Sequence, residues 1–296
     1  MSNYFKGIFY TTFSAFLYGL APWAVTFIVS QGGNSFSNCF LRCLLCLPFA
    51  FLLLLRLPQE ERKLQRAEIK QMIILALSLG TTMMMLIGSY SLVGTSMATS
   101  LHFSYPAFTL LGCLIFCKEK IRPLSAVCVG MTLVGVVLCY SPGHIGNLLG
   151  TLVAFASGAT FAWYMIYLDK SGLSKMPPMK LAFYLHLFMA VLTGTVAVLA
   201  GKFPVSMSWS GWGMQLVLSL TLALGAATLL PMGIRHIGPQ RASILSTFEP
   251  LTAILVGLLV LGEPYTGKTI LGMTLILAAV VVLTLADGKQ EKQPSE

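Results

Sequence analysis

Glu249, Arg42, His102 and Tyr105 are ionisable and phenolic side chains that stand inside otherwise apolar stretches of this sequence. A carboxylate can bind a cation or pass a proton, a guanidinium can hold an anion, and an imidazole can accept or donate a proton. Such groups are costly to remove from water, so each faces a polar partner or a wet cavity. Arg42 and Glu249 can equally form a structural pair that only neutralises itself, and His102 can be a satisfied interior histidine. Tyr18, Trp23, Tyr90, Trp163, Tyr164 and the run Met83-Met84-Met85 are further candidates for a binding surface. Aromatic faces hold cations and rings, and methionine adapts to ligands of varied shape. Packing accounts for each of them singly just as well.

Other patterns point to chemistry that their surroundings do not support. Gly262-Glu263-Pro264-Tyr265-Thr266-Gly267-Lys268-Thr269 matches the phosphate-loop spacing. That loop needs a buried strand before it, whereas a long apolar helix precedes it here, so no nucleotide is expected. Cys39, Cys43 and Cys46 share one helical face, but no His or further Cys completes a metal site, and the reading is of small buried hydrophobes. Cys113, Cys117, Cys128 and Cys139 are read the same way. Metalloprotease His-Glu-x-x-His spacing is missing, and His102, six residues from Ser96, falls on nearly the opposite helical face from it. No cofactor or metal is implied.

The elements that must position these side chains follow from composition. Of the 296 residues 56% are hydrophobic and only 10% charged, against roughly a quarter charged in a soluble domain. So few charges cannot cover a water-facing surface, and the chain is read as an all-α integral membrane protein. About 20 apolar residues span the bilayer, and ten helices are placed at about 7–29, 35–55, 71–90, 95–117, 122–140, 148–168, 178–200, 211–233, 240–261 and 267–286. The first is read as a retained span, not a cleaved signal peptide. On this scheme the connectors on one side carry Lys6, Arg56, Arg62, Lys63, Arg66, Lys70, Lys118, Lys120, Arg122, Lys170, Lys175, Lys180, Arg235, Arg241, Lys289 and Lys292, and those on the other only Lys202 and Lys268. Positive charge stays inside, which predicts cytoplasmic termini and explains the net charge of +9 without nucleic acid. The expected location is the plasma membrane, a bacterial inner membrane. Trp209 and Trp212 then fall at the outer interface, where aromatic belts form. Arg42 lies ~10 Å and Glu249 ~18 Å below the outer helix ends, close enough for their side chains to meet.

The two halves repeat. An offset of 144 places Gly94 on Gly238, Ala98 on Ala242, Leu101 on Leu245, Pro106 on Pro250, Leu111 on Leu255, Leu114 on Leu258 and Glu119 on Glu263; after a two-residue slip Gly130-Met131-Thr132-Leu133 meets Gly272-Met273-Thr274-Leu275. Residues 1–146 and 147–286 thus read as two five-helix repeats, with 287–296 as a tail. Five is odd, so the second repeat runs inverted, an architecture of secondary transporters whose central site lies between the halves. Pro106 and Pro250 interrupt matched helices and mark that site, because proline removes a backbone bond that protein or water must replace. Gly130, Gly135, Gly225 and Gly272 are expected at close helix contacts.

The two five-helix halves, Phe40-Leu41-Arg42 in the second span, the Pro106 to Glu119 segment and its counterpart from Phe248-Glu249-Pro250 to Leu261-Gly262-Glu263 resemble the EamA family of the drug/metabolite transporter superfamily over essentially the whole chain. The resemblance implies a ten-helix exporter or permease of small metabolites, with amino acids or their analogues as cargo. Cys117-Lys118-Glu119 departs from the Gly-Glu that the family commonly places there. Protons are the candidate coupling ion, with Glu249 as their carrier and Arg42 tuning it. An intramembrane enzyme acting on a lipid or peptide is the alternative, distinguished by whether an accumulated compound is chemically altered.

Overall fold

The computed structural model describes residues 3–139, 147–203, 205–260 and 267–291, and every regular element among them is helical. In the first half, α1 (Asn3–Gly19) and α2 (Ala21–Ser30) form one span and α3 (Ser35–Leu44) with α4 (Leu47–Leu54) the next. After the short α5 (Gln59–Arg62), α6 (Arg66–Val93) is the third span. The fourth is split into α7 (Thr95–His102) and α8 (Tyr105–Cys117), and α9 (Pro123–Cys139) is the fifth. The second half opens with α10 (Leu148–Lys170) and α11 (Pro178–Leu199). Next come α12 (Trp209–Leu218), a π-helical stretch (Ser219–Ala226) and α13 (Ala227–Leu245). Last are α14 (Phe248–Val260) and α15 (Gly267–Glu291).

Among the described residues seven stretches are long and apolar enough to cross a membrane, and the one over Trp209–Leu245 has 37 residues. At 1.5 Å per residue that is ~55 Å, nearly twice a ~30 Å hydrocarbon core. Gly238, at φ 78° and ψ 165°, divides it into the eighth span and the start of the ninth, which α14 continues. Gly94, at φ 82° and ψ 155°, makes the same turn between the third and fourth spans. Residues with a side chain rarely adopt that conformation, so the glycines paired at the 144 offset have a backbone reason to be glycine. The shorter apolar helices α9 and α15 complete ten transmembrane legs in two inverted five-helix repeats. The third span begins at Arg66, five residues before the sequence expectation, because Gln65 and Glu68 form a reciprocal cap at its start.

The repeats exchange their leading helices. α1 packs on α13 and α14 of the second half, whereas α10 packs on α6, α7 and α8 of the first; α9 pairs with α15 and α3 with α11. Small residues permit these approaches. A Cβ on Gly135 would meet the Gly272 carbonyl oxygen at 2.7 Å, so the α9–α15 pair closes to backbone contact only with glycine there. Gly130, expected at such a contact, has open space where its Cβ would be. Around the outside, Phe5, Phe9, Phe13 and Phe16 of α1 are exposed along one helical face, as a lipid-facing surface requires.

Lys118 accounts for the departure from glycine at the end of α8. It takes φ 54°, the left-handed conformation for which glycine is the usual choice, and the Glu119 N–H closes back on the Cys113 carbonyl at 3.1 Å. The loop keeps its form, at the cost of a strained residue. Gly262, the second-half counterpart, and the rest of the phosphate-loop pattern up to Thr266 lie outside the described residues.

Candidate functional site

Helix ends in the middle of the protein build the site. Between α7 and α8, the Phe103 N–H still reaches the Thr99 carbonyl, but that of Ser104 tightens onto Leu101. Between α13 and α14, Ser246 bonds to Ala242 and Thr247 tightens onto Ile244. Pro106 and Pro250 sit in the first turns of α8 and α14, where a missing N–H is harmless. Neither offers an N–H to the carbonyl four residues back, that of His102 or of Ser246. Glycines seat the two breaks: a Cβ on Gly158 would lie 2.8 Å from the His102 carbonyl oxygen, and one on Gly19 would lie 2.6 Å from that of Glu249.

These interruptions place ionisable side chains at helix termini. Glu249 is in the first turn of α14, where backbone N–H groups present partial positive charge. Arg42 is in the last turn of α3 and His102 in the last turn of α7, where carbonyls present the opposite charge. Each charge therefore has a backbone counter-field without needing the other. Among the described residues no ion pair within 4.0 Å joins Arg42 to Glu249; instead the guanidinium lies over the Tyr18 ring, 5.7 Å from its centroid.

All three line one cavity. Tyr18, Pro22, Arg42, Cys43, Met83, Tyr90 and His102 from the first repeat line it together with Phe161, His186, Met189, Ala227 and Glu249 from the second. Its wall mixes aliphatic, aromatic and sulfur-bearing side chains with a few polar groups. The π-helical stretch ends at Ala226, next to Ala227 on this wall, and the Ser14 hydroxyl donates to the Ala226 carbonyl at 2.9 Å, occupying an acceptor at the end of that irregular stretch.

Six of the sequence candidates, Glu249, Arg42, His102, Tyr18, Tyr90 and Met83, thus line one cavity. Tyr105 stands behind it, fully buried, with its ring 5.4 Å from that of His102 and 4.9 Å from Phe161. Its hydroxyl and those of Ser246 and Thr99 are buried, with no partner in hydrogen-bonding geometry among the described residues. Trp163 lies elsewhere: it is 39% exposed, edge-on to Phe116 and stacked on Tyr167, on the outward face of α10. The packing of α10 places Tyr164 inside and Trp163 out. His186 and Phe161 were not singled out in the sequence. His186 carried a signal, since it sits inside an apolar span and aligns with Arg42 at the same 144-residue offset.

Both ends of the molecule are tied between repeats. At the end rich in basic residues, Lys180 pairs with Glu68 at 3.0 Å, the Tyr184 hydroxyl donates to the Arg62 carbonyl at 3.0 Å, and Glu119 receives both Lys170 at 2.6 Å and the Gln240 side-chain amide at 2.8 Å. At the opposite end the ties among the described residues are neutral. Ser208 and Ser210 hydroxyls bond the Gln31 side-chain oxygen at 2.6 and 2.9 Å, and the Asn34 amide donates to the Lys202 carbonyl at 3.0 Å.

Ten apolar helices in inverted repeats around a mixed-charge cavity define a multi-pass membrane protein of transporter architecture. The model of the EamA-like transporter family matches residues 5–141 and 146–285, and the chain belongs to that family. It is 27% identical over 280 residues to the uncharacterized transporter sll1319 of Synechocystis sp., covering 89% of this chain and 84% of that protein. Human solute carrier family 35 member G1 is 26% identical over 295 residues, covering 93% and 78%. A solved crystal structure superposes with a TM-score of 0.78 over 96% of this chain and 98% of that one at 16% identity, a likeness of fold.

Proposed function

We propose that this protein is a secondary active transporter, an exporter or permease, that moves amino acids or closely related small metabolites by alternating access. The observation that carries the reading is the unpaired placement of Arg42 and Glu249 in one cavity walled by both repeats. An isolated cation and an isolated anion in apolar surroundings complement a zwitterion, whose two charges would take the place of the missing ion pair. Rocking of the repeats opens the cavity to one side by releasing the ties at that end, ionic through Glu68 and Glu119 or neutral through Gln31. Glu249 is the proposed proton carrier and Arg42 its modulator, so protonation of the carboxylate would be coupled to cargo release. Residues 1–146 and 147–286 are the proposed repeats, in the plasma membrane with both termini cytoplasmic.

Growth of an overexpressing strain on toxic amino-acid analogues tests the cargo class. Resistance to one analogue class is expected, and unchanged sensitivity across the panel, together with no counterflow of amino acids in proteoliposomes, would remove the reading. Reporters fused after Asn147 and after Lys175 test orientation, with the first expected outside and the second inside.

A further inference from the structure

The hydrogen bonds of the two cavity histidines fix which ring nitrogen carries hydrogen. His186 Nδ1 lies 2.8 Å from the Ala182 carbonyl oxygen, and a carbonyl only accepts, so Nδ1 is the donor. His102 Nδ1 lies 2.9 Å from the Ser157 hydroxyl oxygen. That hydroxyl sits 2.6 Å from the Ala154 carbonyl and has a single hydrogen to place between those two oxygens. Ser157 therefore accepts from His102, and Nδ1 is again the donor. In a neutral imidazole the remaining nitrogen, Nε2, is then a bare acceptor. Among the described residues nothing bonds Nε2 of either ring, and both rings line the cavity, one from each repeat. With the Glu249 carboxylate, three groups on this wall ask for hydrogen-bond donors.

We propose that His102 and His186 are specificity-determining residues that receive N–H donors of the cargo, so that the cavity takes a protonated primary or secondary amine and excludes its fully methylated counterpart. A quaternary ammonium carries the same charge but no hydrogen, leaves both Nε2 atoms unpaired, and is rejected for the cost of that desolvation. The proposal rests on the cavity being the cargo site, and it specifies what the cargo's cationic end must present.

The test uses the full chain with ¹⁵N-labelled histidine in lipid nanodiscs at about pH 8, above the ordinary imidazole range. The chain has 4 histidines, and loss of a signal in His102→Gln or His186→Gln assigns two of them. Both should show Nδ1 protonated and Nε2 bare. Methylammonium should shift both Nε2 resonances, and tetramethylammonium should shift neither. His186→Leu should weaken the methylammonium response at His102 by about tenfold, the effect of one lost hydrogen bond to a charged donor; His186→Gln, which keeps an acceptor oxygen, should restore part of it. An Nε2-protonated ring, equal responses to the two cations, or no response to either overturns the proposal. Discrimination between the cations without amino-acid counterflow in proteoliposomes would retain this inference and remove the amino-acid reading, and counterflow without discrimination would do the reverse.

Discussion

In the fourth span the break between α7 and α8 is flanked by His102 and Tyr105; in the ninth, 144 residues on, the corresponding break is flanked by Ser246 and Glu249. The second and seventh spans differ further, since α3 and α4 are separated beside Arg42 while α11 runs straight through its counterpart His186. Each repeat thus supplies broken backbone at the fourth or ninth span, yet the cation comes from the first repeat and the anion from the second. Duplication preserved the places where helix ends meet, and divergence at those places gave the cavity a direction. On the proposed transport reading, a cargo with unlike ends would have one orientation in which both ends are matched.

The largest effect is expected where the repeats differ in charge. Glu249→Gln should abolish the response of uptake to an imposed pH gradient while sparing cargo exchange, and Tyr105→Phe at the matched position should stay within about twofold of wild type, since its hydroxyl has no partner in hydrogen-bonding geometry among the described residues. Proteoliposome uptake at matched protein levels decides this. A gradient response in Glu249→Gln equal to wild type returns Glu249 to a structural role.

Where the repeats agree, paired substitutions should act alike. Pro106→Ala and Pro250→Ala restore an N–H opposite the His102 and Ser246 carbonyls, so both should insert normally and transport several-fold more slowly. Full rates in both variants would show that the breaks persist without proline. Smaller changes are expected from the glycines that seat the breaks. Gly19→Ala and Gly158→Ala press on backbone oxygens and should each cost about 1–3 kcal/mol, whereas Gly130→Ala, with open space around it, should be neutral or stabilising by up to ~1 kcal/mol. Equilibrium unfolding in mixed micelles measures all three, and equal values for Gly130 and Gly158 would contradict the packing described. The smallest effect belongs to Lys118. Lys118→Gly relieves the left-handed backbone and should stabilise by less than about 1 kcal/mol, the gain being reduced by glycine's freedom in the unfolded chain, while Lys118→Val should destabilise in the same assay.

Much of this frame was legible in the residues. A run of apolar residues with charges confined to connectors can satisfy its backbone only as membrane helices, and the Gly94/Gly238 and Pro106/Pro250 pairs expose the duplication because glycine and proline are set by backbone demands that lipid does not change. Arg42, Glu249 and His102 stood out because an apolar span makes every polar side chain conspicuous. Trp163 shows where that signal ends, while His186 carried the same signal as His102. Trp163 is aromatic and mid-span, as Tyr18 and Tyr90 are, yet its face of α10 turns outward; His186 is polar and mid-span, and its face of α11 turns in. In a helix that is apolar all round, periodicity no longer separates the lipid face from the core face.

The sequence by itself determined the membrane class, the number of spans, the inverted repeat and the identities of most ionisable groups in the bilayer, because each follows from local composition and from residues with special backbone requirements. Tertiary structure decided which helices are neighbours: α1 crosses to the second repeat and α10 to the first, so the site is assembled from both halves. It also decided that Arg42 rests on Tyr18 and is not paired with Glu249, and that both cavity histidines line the cavity with Nδ1 engaged by their own surroundings. Those outcomes depend on distances between side chains far apart in the chain, which only close packing fixes.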